Sequence, residues 1–319
     1  MSFKICGTGS SVPETVVTNN DLAAFLDTND EWIKTRTGIS ERRVMKSETL
    51  LDLAERSSLE AVNDAGLMLS EIDMIIFSSL QGDFISPSMC CLLSARLGVN
   101  CTHMFDINMG CSGFLFALDM ADSYITSKKA DAVLIVCAEG MSRMTDWNDR
   151  KTCILFGDAA GAVICVPGDG CMDISLNIKG GYEHLYIGRS SNNSPFAQTQ
   201  DHPPFLHMNG QEIYKFAVEA ITKDILTLLD KNVMTPDDIE YFIIHQANMR
   251  IIDSARQKLE QQENKFPHNL ERYGNTSSAS IPLLLDEINR AGLLKKDDKI
   301  LLSAFGSGLT TSACILNWS

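Results

Sequence analysis

A repeat at about half its length is the feature that most limits how this chain can fold. Residues 70–78 (SEIDMIIFS) resemble residues 237–245 (DDIEYFIIH), and residues 130–135 (ADAVLI) resemble residues 297–302 (DDKILL). Both resemblances have the same shift of 167 positions and occur in the same order. The shared shift indicates an internal duplication, and a duplicated unit offers a cleft between its two copies.

Each copy is expected to be an α/β unit, because strand-like apolar runs alternate with amphipathic segments of helical length. Since 319 residues exceed the size at which one core usually keeps growing, we predict two domains, residues 1–170 and residues 171–319. The polar stretch Ser190–His202 is predicted to be a long surface loop. The predicted strands are Phe3–Gly7, Met74–Ser78, Met104–Ile107, Ala132–Cys137, Tyr241–His245 and Lys299–Ala304, and the predicted helices are Leu50–Ala65, Pro87–Leu97, Ser112–Ser127, Gln211–Leu229 and Asn248–Leu259.

Composition narrows the possible functions. With 45% apolar and 21% charged residues, the chain resembles an ordinary globular protein. No apolar run is long enough to cross a bilayer and the N-terminal residues contain no apolar signal core, so we expect a cytoplasmic protein without a membrane partner. The net charge of −14 argues against nucleic acid as a partner. The ten cysteines form no C-x-x-C pair, so nothing indicates a zinc site.

Cys111 lies in the sequence Met109-Gly-Cys-Ser-Gly, between a predicted strand and a predicted helix. A cysteine at the start of a helix faces unpaired backbone N–H groups and the positive end of the helix dipole. This setting is expected to lower the thiol pKa and to favour the nucleophilic thiolate. The alternative is a buried structural cysteine, which is the better interpretation of most of the other cysteines.

Two more polar residues lie next to the ends of predicted strands or helices. His245 ends an apolar strand in Ile243-Ile-His-Gln-Ala-Asn, and ligand sites of α/β sheets gather at such strand ends. Asn275 lies in a turn of Tyr273-Gly-Asn-Thr-Ser-Ser-Ala-Ser-Ile-Pro, just before a predicted helix entry. Taken alone, His245 is explained as a hydrogen-bonded histidine at a strand end, and Asn275 is explained as a residue that favours a tight turn. Together with Cys111 they supply a nucleophile and two groups that can stabilise an oxyanion.

Five motifs span nearly the whole chain and are specific as a set. Three contain the residues above: Cys111-Ser-Gly-Phe, His245-Gln-Ala-Asn-x-Arg and Tyr273-Gly-Asn-Thr-Ser-x-Ala-Ser. The others are Asp30-Glu-Trp-Ile-Lys-Thr-Arg-Thr-Gly-Ile and Phe205-Leu-His-Met-Asn-Gly. In order and spacing, these motifs resemble those of the β-ketoacyl-[acyl carrier protein] synthase III family. In that family, the motif that begins here at Asp30 lies at the coenzyme A entrance, and the motif that begins here at Phe205 lies at the start of the second half.

The resemblance implies the thiolase fold, with two duplicated α/β halves in a five-layered αβαβα arrangement and usually a homodimer. It also implies a decarboxylative Claisen condensation that initiates fatty acid biosynthesis. Cys111 would take the acyl group of an acyl-CoA, after which malonyl-acyl carrier protein would lose CO2 and attack the thioester. His245 and Asn275 would hold the enolate oxygen, and the backbone N–H groups of Cys111 and Ser307 would hold the thioester oxyanion. No metal or redox cofactor is required, since the coenzyme A thioester is a substrate.

The resemblance also assigns binding residues. For coenzyme A these are Trp32, which would stack on the adenine, Arg36, Arg150, Met208, Gly210, Ala247 and Asn248. For the acyl pocket they are Met141, Leu155, Phe156, Leu206 and Phe305, together with Ser86 in a loop that reaches the pocket of a partner subunit. For carrier-protein docking they are Lys215, Arg250 and Lys258, a local patch because the overall charge repels an acidic partner.

Three departures from the family pattern bear on the choice of acyl primer. Gly306-Ser-Gly replaces a common Gly-Gly-Gly, Leu309-Thr-Thr-Ser replaces a Thr-Trp-Gly step, and Ser86 replaces a frequent aromatic residue. A condensing enzyme of secondary metabolism with an unusual acyl primer therefore stays an alternative. A papain-like cysteine hydrolase would need Cys-Gly-x-Cys-Trp surroundings that the chain lacks. A non-catalytic CoA-binding module would not need the intact Cys, His and Asn set.

Overall fold

The computed structural model of the chain describes residues 2–188, 196 and 203–319. The predicted surface loop Ser190–His202, Phe196 excepted, lies outside these residues. The strands are β1 Ser2–Ser11, β2 Val16–Thr18, β3 Glu41–Arg43, β4 Met74–Ser78, β5 His103–Ile107, β6 Val133–Gly140, β7 Asp158–Gly168, β8 Cys171–Gly181, β9 Leu185–Ile187, β10 Leu206–Met208, β11 Tyr241–Ile244, β12 Lys299–Gly306 and β13 Gly308–Asn317. The α-helices are α1 Asn19–Ala23, α2 Asp30–Thr37, α3 Leu50–Asp64, α4 Met89–Leu97, α5 Gly113–Thr126, α6 Gly210–Lys231, α7 Met249–Lys258, α8 Leu270–Tyr273 and α9 Ser280–Arg290. Short 3-10 helices occur at Leu69–Glu71, Gly110–Ser112, Met141–Arg143, Pro236–Asp238, Glu263–Lys265 and Ser277–Ala279.

Two sheets form the frame of the molecule, and their strand orders correspond. The first sheet has the order β1-β7-β6-β4-β5. Written from its β8 edge, the second sheet has the order β8-β13-β12-β11, which corresponds to β1-β7-β6-β4. The register repeats as well. Met74 of β4 pairs with Val133 of β6, and Tyr241 of β11 pairs with Ile300 of β12. Tyr241 follows Met74 by 167 positions, and Ile300 follows Val133 by the same number. The predicted duplication is therefore confirmed.

Three apolar clusters show how the helices cover the sheets. On the outer face of the first sheet, α3 and α4 pack against Ile75 and Phe77 of β4. The alternate β4 residues Met74 and Ile76 face the opposite side, where α5 and α9 lie between the two sheets. On the outer face of the second sheet, α6 and α7 pack against β11 and β12. The layers are thus αβαβα, as the resemblance implies. Because β4 is covered on both faces, its sequence is apolar throughout.

Most predicted elements are confirmed to within a few residues. The helix predicted from Pro87 begins instead at Met89, because the Asp106 carboxylate accepts the backbone N–H groups of Met89 and Cys90 and caps the helix there. The division into residues 1–170 and 171–319 stays a prediction. In the described part of the chain, no helix is both long and apolar enough to cross a membrane.

Candidate active site

A cavity of about 1940 Å³ gathers most of the predicted site residues. Cys111 of the first half and His245 and Asn275 of the second half all line it. The other predicted residues on its wall are Trp32, Arg36, Met141, Arg150, Leu155, Phe156, Leu206, Met208, Gly210, Ala247, Asn248, Arg250, Phe305 and Ser307. The described cavity wall does not include Ser86, Lys215 or Lys258.

Cys111 is held in a short 3-10 turn that runs directly into α5. Gly110 in this turn has a φ of 55°, a left-handed conformation that favours glycine. A Cβ at Gly110 would lie only 2.5 Å from the Ser307 Oγ, so the glycine lets the loop after β12 approach the cysteine. On the other side, the Thr310 hydroxyl donates to the Ser112 Oγ at 3.0 Å and ties β13 to the residue after the cysteine.

The acidity of the Cys111 thiol differs from the expectation. Burial, and to a lesser degree the Glu139 carboxyl, raise its pKa to about 12, against the lowering effect of the Ser277 hydroxyl and of the cysteine's own N–H. The prediction of a lowered pKa is therefore wrong for the resting chain, because the loss of hydration outweighs the donors at the helix start. The Cys111 thiol of the resting chain is therefore protonated near pH 7.

The segment from Gly306 to Gly308 places its backbone against the cysteine turn. A Cβ on Gly306 would lie 2.8 Å from the Cys111 backbone nitrogen, so only glycine allows this approach. The left-handed φ of the segment falls on Gly308, at 123°, and not on Ser307. The serine that replaces glycine at position 307 is therefore compatible with the turn.

His245 follows β11 directly and is almost completely buried. Its Nδ1 lies 2.7 Å from the Ser280 Oγ, and the Gln246 N–H donates to the same oxygen at 3.4 Å. The buried Nε2 has no hydrogen-bond partner among the described residues. The Phe305 ring packs edge-on against the imidazole, with ring centroids 5.4 Å apart. Burial lowers the pKa of His245 to about 3, so the ring is neutral.

Asn275 is oriented by its own backbone and by the next turn. Its N–H donates to the Leu155 carbonyl at 2.8 Å, and its carbonyl accepts from the Gly157 N–H at 3.1 Å. The side-chain Oδ1 accepts from the Ser277 N–H at 2.9 Å. Because Oδ1 is occupied, the Nδ2 donors are the part of the amide available to the cavity that Asn275 lines.

An aromatic and cationic group lies at another part of the cavity wall. The guanidinium carbon of Arg36 lies 4.7 Å from the Trp32 ring centroid, and that of Arg150 lies 5.1 Å from it. Arg150 is also fixed by a 3.3 Å ion pair with Asp27. Planar guanidinium groups against an indole suit a ligand that combines a flat ring with phosphates.

The predicted acyl-pocket residues form part of an apolar wall. Met141, Leu155, Phe156 and Leu206 belong to one buried cluster, whereas Phe305 belongs to the cluster under α6 and α7. Ser86 is exposed in the loop before α4, beside Phe84 and Ile85, which do line the cavity. Within the described ranges, no three His, Cys, Asp or Glu residues are placed to hold a metal ion.

The predicted docking cations differ in their surroundings. The Lys215 ammonium pairs with the Glu212 carboxylate at 2.8 Å, which reduces its free positive charge. The Arg250 guanidinium lies 5.7 Å from the Tyr214 ring centroid, at the cavity wall. Lys258 donates to the Val218 carbonyl at 3.4 Å.

No role in the site was predicted for three polar residues around the cysteine and the histidine. Ser277 and Ser280 are part of the motif after Tyr273, and their hydroxyls contact Cys111 and His245. Glu139 is fully buried near the end of β6. The sequence feature that could have identified Glu139 is a single acidic side chain near the C-terminal end of an otherwise apolar strand.

Comparisons with known proteins agree with this arrangement. A family profile described as 3-oxoacyl-[acyl-carrier-protein] synthase III matches residues 105–180, and the profile of its C-terminal part matches residues 229–318. A beta-ketoacyl-[acyl-carrier-protein] synthase III of Clostridium acetobutylicum is 41% identical over 322 residues, covering 100% of this chain and 99% of the relative. The crystal structure of 3-oxoacyl-[acyl-carrier-protein] synthase III from Aquifex aeolicus matches with a TM-score of 0.92 and 40% identity, covering 99% of this chain and 100% of that one. The priming β-ketosynthase of the R1128 polyketide biosynthetic pathway matches with a TM-score of 0.92 and 31% identity, covering 99% and 96%.

These matches extend over both halves and include the cysteine, histidine and asparagine motifs. Identity of 41% along the full length is far above what a shared fold alone produces. The duplicated five-layer fold also separates the chain from papain-like hydrolases. The chain belongs to the 3-oxoacyl-[acyl-carrier-protein] synthase III family and is a condensing acyltransferase with the thiolase fold.

Proposed function

We propose that the chain condenses an acyl-CoA primer with malonyl-acyl carrier protein through an acyl thioester on Cys111, and so initiates fatty acid biosynthesis. The observation that carries the proposal is one cavity that joins the Trp32 and arginine group to Cys111, His245 and Asn275. A nucleotide thioester can therefore bind at one part while its carbonyl carbon reaches the thiol. No metal or redox cofactor takes part.

In the first half-reaction the Cys111 sulfur attacks the thioester carbonyl of acyl-CoA. The backbone N–H groups of Cys111 and Ser307 stabilise the tetrahedral oxyanion, and the close contact at Gly306 supports this placement. Collapse of the intermediate expels coenzyme A and leaves the acyl group on sulfur. A thioester on cysteine is easily broken in the next step, because thiolate is also a good leaving group.

In the second half-reaction the malonyl thioester loses CO2 and its enolate attacks the acyl-Cys111 carbonyl. His245 and Asn275 stabilise the enolate oxygen. We assign the Ser280 hydroxyl as the donor to Nδ1 of His245, 2.7 Å away, while the Ser280 oxygen accepts from the Gln246 N–H. This hydrogen bond supports the tautomer with its proton on Nε2, the atom that has no partner among the described residues. A neutral imidazole and an amide donate hydrogen bonds to the enolate without quenching it.

The remaining predicted residues serve binding. Trp32, Arg36 and Arg150 hold the adenine nucleotide of coenzyme A. Met208, Gly210, Ala247 and Asn248 line the passage for its pantetheine arm, and the apolar wall of Met141, Leu155, Phe156, Leu206 and Phe305 holds the acyl group. Lys215, Arg250 and Lys258 contact the carrier protein, with Arg250 nearest to the reaction because it lines the cavity.

The chain acts as a cytoplasmic homodimer in this proposal. The loop that carries Ser86 supports a subunit contact, because its neighbours Phe84 and Ile85 are 59% and 89% exposed. Two adjacent exposed apolar side chains are stabilised when a second copy of the chain buries them. Ser86 would then lie at the acyl pocket of the partner subunit.

A second candidate is the priming of a polyketide, because the R1128 priming β-ketosynthase covers nearly the whole chain at 31% identity. The decisive experiment supplies acyl-CoAs of two to eight carbons with malonyl-acyl carrier protein and measures β-ketoacyl-carrier-protein formation by mass spectrometry. Product from acetyl-CoA or short branched acyl-CoAs supports fatty acid initiation, whereas product only from an unusual primer supports the second candidate. Binding of acyl-CoA without any β-ketoacyl product would contradict both.

A further inference from the structure

We propose that the Thr310 hydroxyl is a positioning group for the first half-reaction. It holds the backbone N–H groups of Cys111 and Ser307 at the separation that the thioester oxyanion needs. The inference rests on the proposed function, because this oxyanion forms when Cys111 attacks a thioester. Two observations carry it: the contact between the two turns that contain these N–H groups, and the hydrogen bond that joins the turns.

The two N–H groups belong to turns from different halves of the chain. Cys111 lies in the 3-10 turn Gly110–Ser112, whereas Ser307 lies between β12 and β13. The backbones of the two turns meet without side chains between them. A Cβ on Gly110 would lie 3.1 Å from the Ser307 nitrogen, and a Cβ on Gly306 would lie 2.8 Å from the Cys111 nitrogen. Both nitrogens therefore lie at one contact, and both residues line the cavity.

Two buried hydroxyl groups join these turns. Thr310, close to the start of β13, is 2% exposed, and Ser112 is 0% exposed. The Thr310 hydroxyl donates to the Ser112 Oγ at 3.0 Å and also to the Ser307 carbonyl at 3.3 Å, so two acceptors share its proton. In the part of the chain that the structure describes, no other side-chain hydrogen bond joins the two turns. Thr310 therefore connects Ser307 to the residue that follows the cysteine.

This connection matters because the two donors are otherwise fixed independently. Cys111 is positioned by β5 and α5, and Ser307 is positioned by β12 and β13, which belong to the other sheet. Donors stabilise an oxyanion only when both lie about 2.7–3.1 Å from the oxygen. A misplacement of about 1 Å can lower a rate by about 10²-fold. A hydrogen bond between the two turns keeps the donors at one separation before the substrate arrives.

Removal of the Thr310 hydroxyl is expected to slow acyl transfer. Thr310→Val replaces the hydroxyl with a methyl group and keeps the rest of the side chain. We expect the acylation rate constant of Cys111 with acetyl-CoA or another accepted acyl-CoA to fall by roughly 10–10²-fold. The affinity for coenzyme A in calorimetry should stay the same, because binding develops no oxyanion. Thr310→Ser keeps the hydroxyl and loses only the methyl group, so this conservative variant should retain most of the rate.

Two reactions of the same sulfur separate misplaced N–H groups from a misplaced cysteine. Acylation develops negative charge on the carbonyl oxygen, whereas alkylation by iodoacetamide displaces iodide and forms no oxyanion. Rapid quench followed by peptide mass spectrometry measures both rate constants at Cys111. For Thr310→Val we expect slower acylation and unchanged alkylation. Equal losses in the two reactions, or an unchanged acylation rate, would overturn the inference.

Ser112→Ala tests the same connection from its other end. It removes the acceptor at 3.0 Å but leaves the Ser307 carbonyl, so acylation should fall less than in Thr310→Val. The double variant should be no slower than Thr310→Val, because both changes break one connection. Additive losses would mean that the two hydroxyls act separately. If Thr310→Val loses its affinity for coenzyme A, the comparison of acylation with alkylation in Ser112→Ala decides.

Thr311→Val is the matched control on the same strand. Successive side chains of a strand point to opposite faces, and Ala313 and Ile315 of β13 pack under α6 and α7. Thr311 shares that outer face and is buried, so its change from hydroxyl to methyl should leave acylation unchanged. A loss as large as that of Thr310→Val would indicate a general disturbance of β13 and would overturn the positioning role.

The ester p-nitrophenyl acetate separates failure of this inference from failure of the proposed function. It acylates a thiol through the same kind of oxyanion but contains no coenzyme A. If Cys111 accepts an acetyl group only from the ester, and Thr310→Val slows that reaction, the positioning role stands and the assigned substrate is wrong. If Thr310→Val leaves the rate with an accepted acyl donor unchanged, the positioning role is wrong, whichever donor is accepted. If neither donor acylates Cys111, both proposals are wrong.

Discussion

Replacing Val233 with glycine should stabilise the protein, and the internal duplication gives the reason. The helices α3 and α6 end in the same turn, in which the N–H of the left-handed residue bonds back to the helix. In α3 this residue is Gly66, with a φ of 67°, and its N–H donates to the Asn63 carbonyl at 3.1 Å. In α6 it is Val233, with a φ of 56°, and its N–H donates to the Asp230 carbonyl at 3.0 Å. The second copy therefore has a β-branched residue where the first has glycine.

The size of the effect follows from this comparison. A residue with a Cβ costs about 1–2 kcal/mol in the left-handed conformation, with β-branched residues at the upper end. Val233 is 94% exposed, so the loss of its side chain removes almost no packing. The greater freedom of glycine in the unfolded chain costs about 0.4–1 kcal/mol. The net expectation for Val233→Gly is a free energy of unfolding higher by about 1 kcal/mol.

Urea denaturation at one fixed protein concentration measures the change. For a slope of about 3 kcal/mol/M, the midpoint should rise by roughly 0.3 M. Val233→Ala is the matched control, because it removes the branch but keeps a Cβ at positive φ. Gly66→Ala should lower stability by about 1 kcal/mol, since nothing lies within 4 Å of its added Cβ and only backbone strain changes. Equal midpoints for Val233→Gly and Val233→Ala would refute the role assigned to the backbone.

Three further predictions concern the reaction. His245→Ala and Asn275→Ala should slow CO2 release from the malonyl thioester by roughly 10²–10³-fold and slow Cys111 acylation much less, as quench-flow of each half-reaction would show; equal losses would contradict the division of labour. Gly306→Ala places a Cβ 2.8 Å from the Cys111 nitrogen, so acylation should fall by roughly 10²-fold while the affinity for coenzyme A in calorimetry stays the same. Arg250→Glu should raise KM for malonyl-acyl carrier protein more than KM for acyl-CoA, and the gap should shrink at high salt; a salt-independent or equal change would remove Arg250 from the docking surface.

Much of the fold was predictable because its central strands are covered on both faces. A strand such as Met74–Ser78 must be apolar throughout, and this run stands out in the sequence. β7 and β13 are also largely buried, but they lie outside the predicted strands. Their sequences contain small and hydroxyl residues, and it is pairing with neighbouring strands that makes them strands. Such pairing depends on contacts distant in sequence, which a local pattern does not reveal.

The site divides in a similar way. Cys111, His245 and Asn275 stand in short motifs whose spacing survives in sequence, and all three line one cavity. The acidity of the thiol was predicted in the wrong direction, because the helix start is visible in sequence whereas the degree of burial is not. Glu139 was not predicted as a site residue, because its contact with the turn at Ser277–Ala279 joins residues far apart in the chain.

The central claim is that Cys111 carries the acyl group, and peptide-resolved mass spectrometry tests it most directly. The protein is incubated with acetyl-CoA or another accepted acyl-CoA, quenched in acid and digested at low pH. If Cys111 is the carrier, one acyl group per chain is found on the peptide that contains Cys111, malonyl-acyl carrier protein removes that group, and a folded Cys111→Ala variant is not acylated. Acylation of the variant in proportion to turnover, or a stable acyl group on another residue that malonyl-acyl carrier protein discharges, would contradict it.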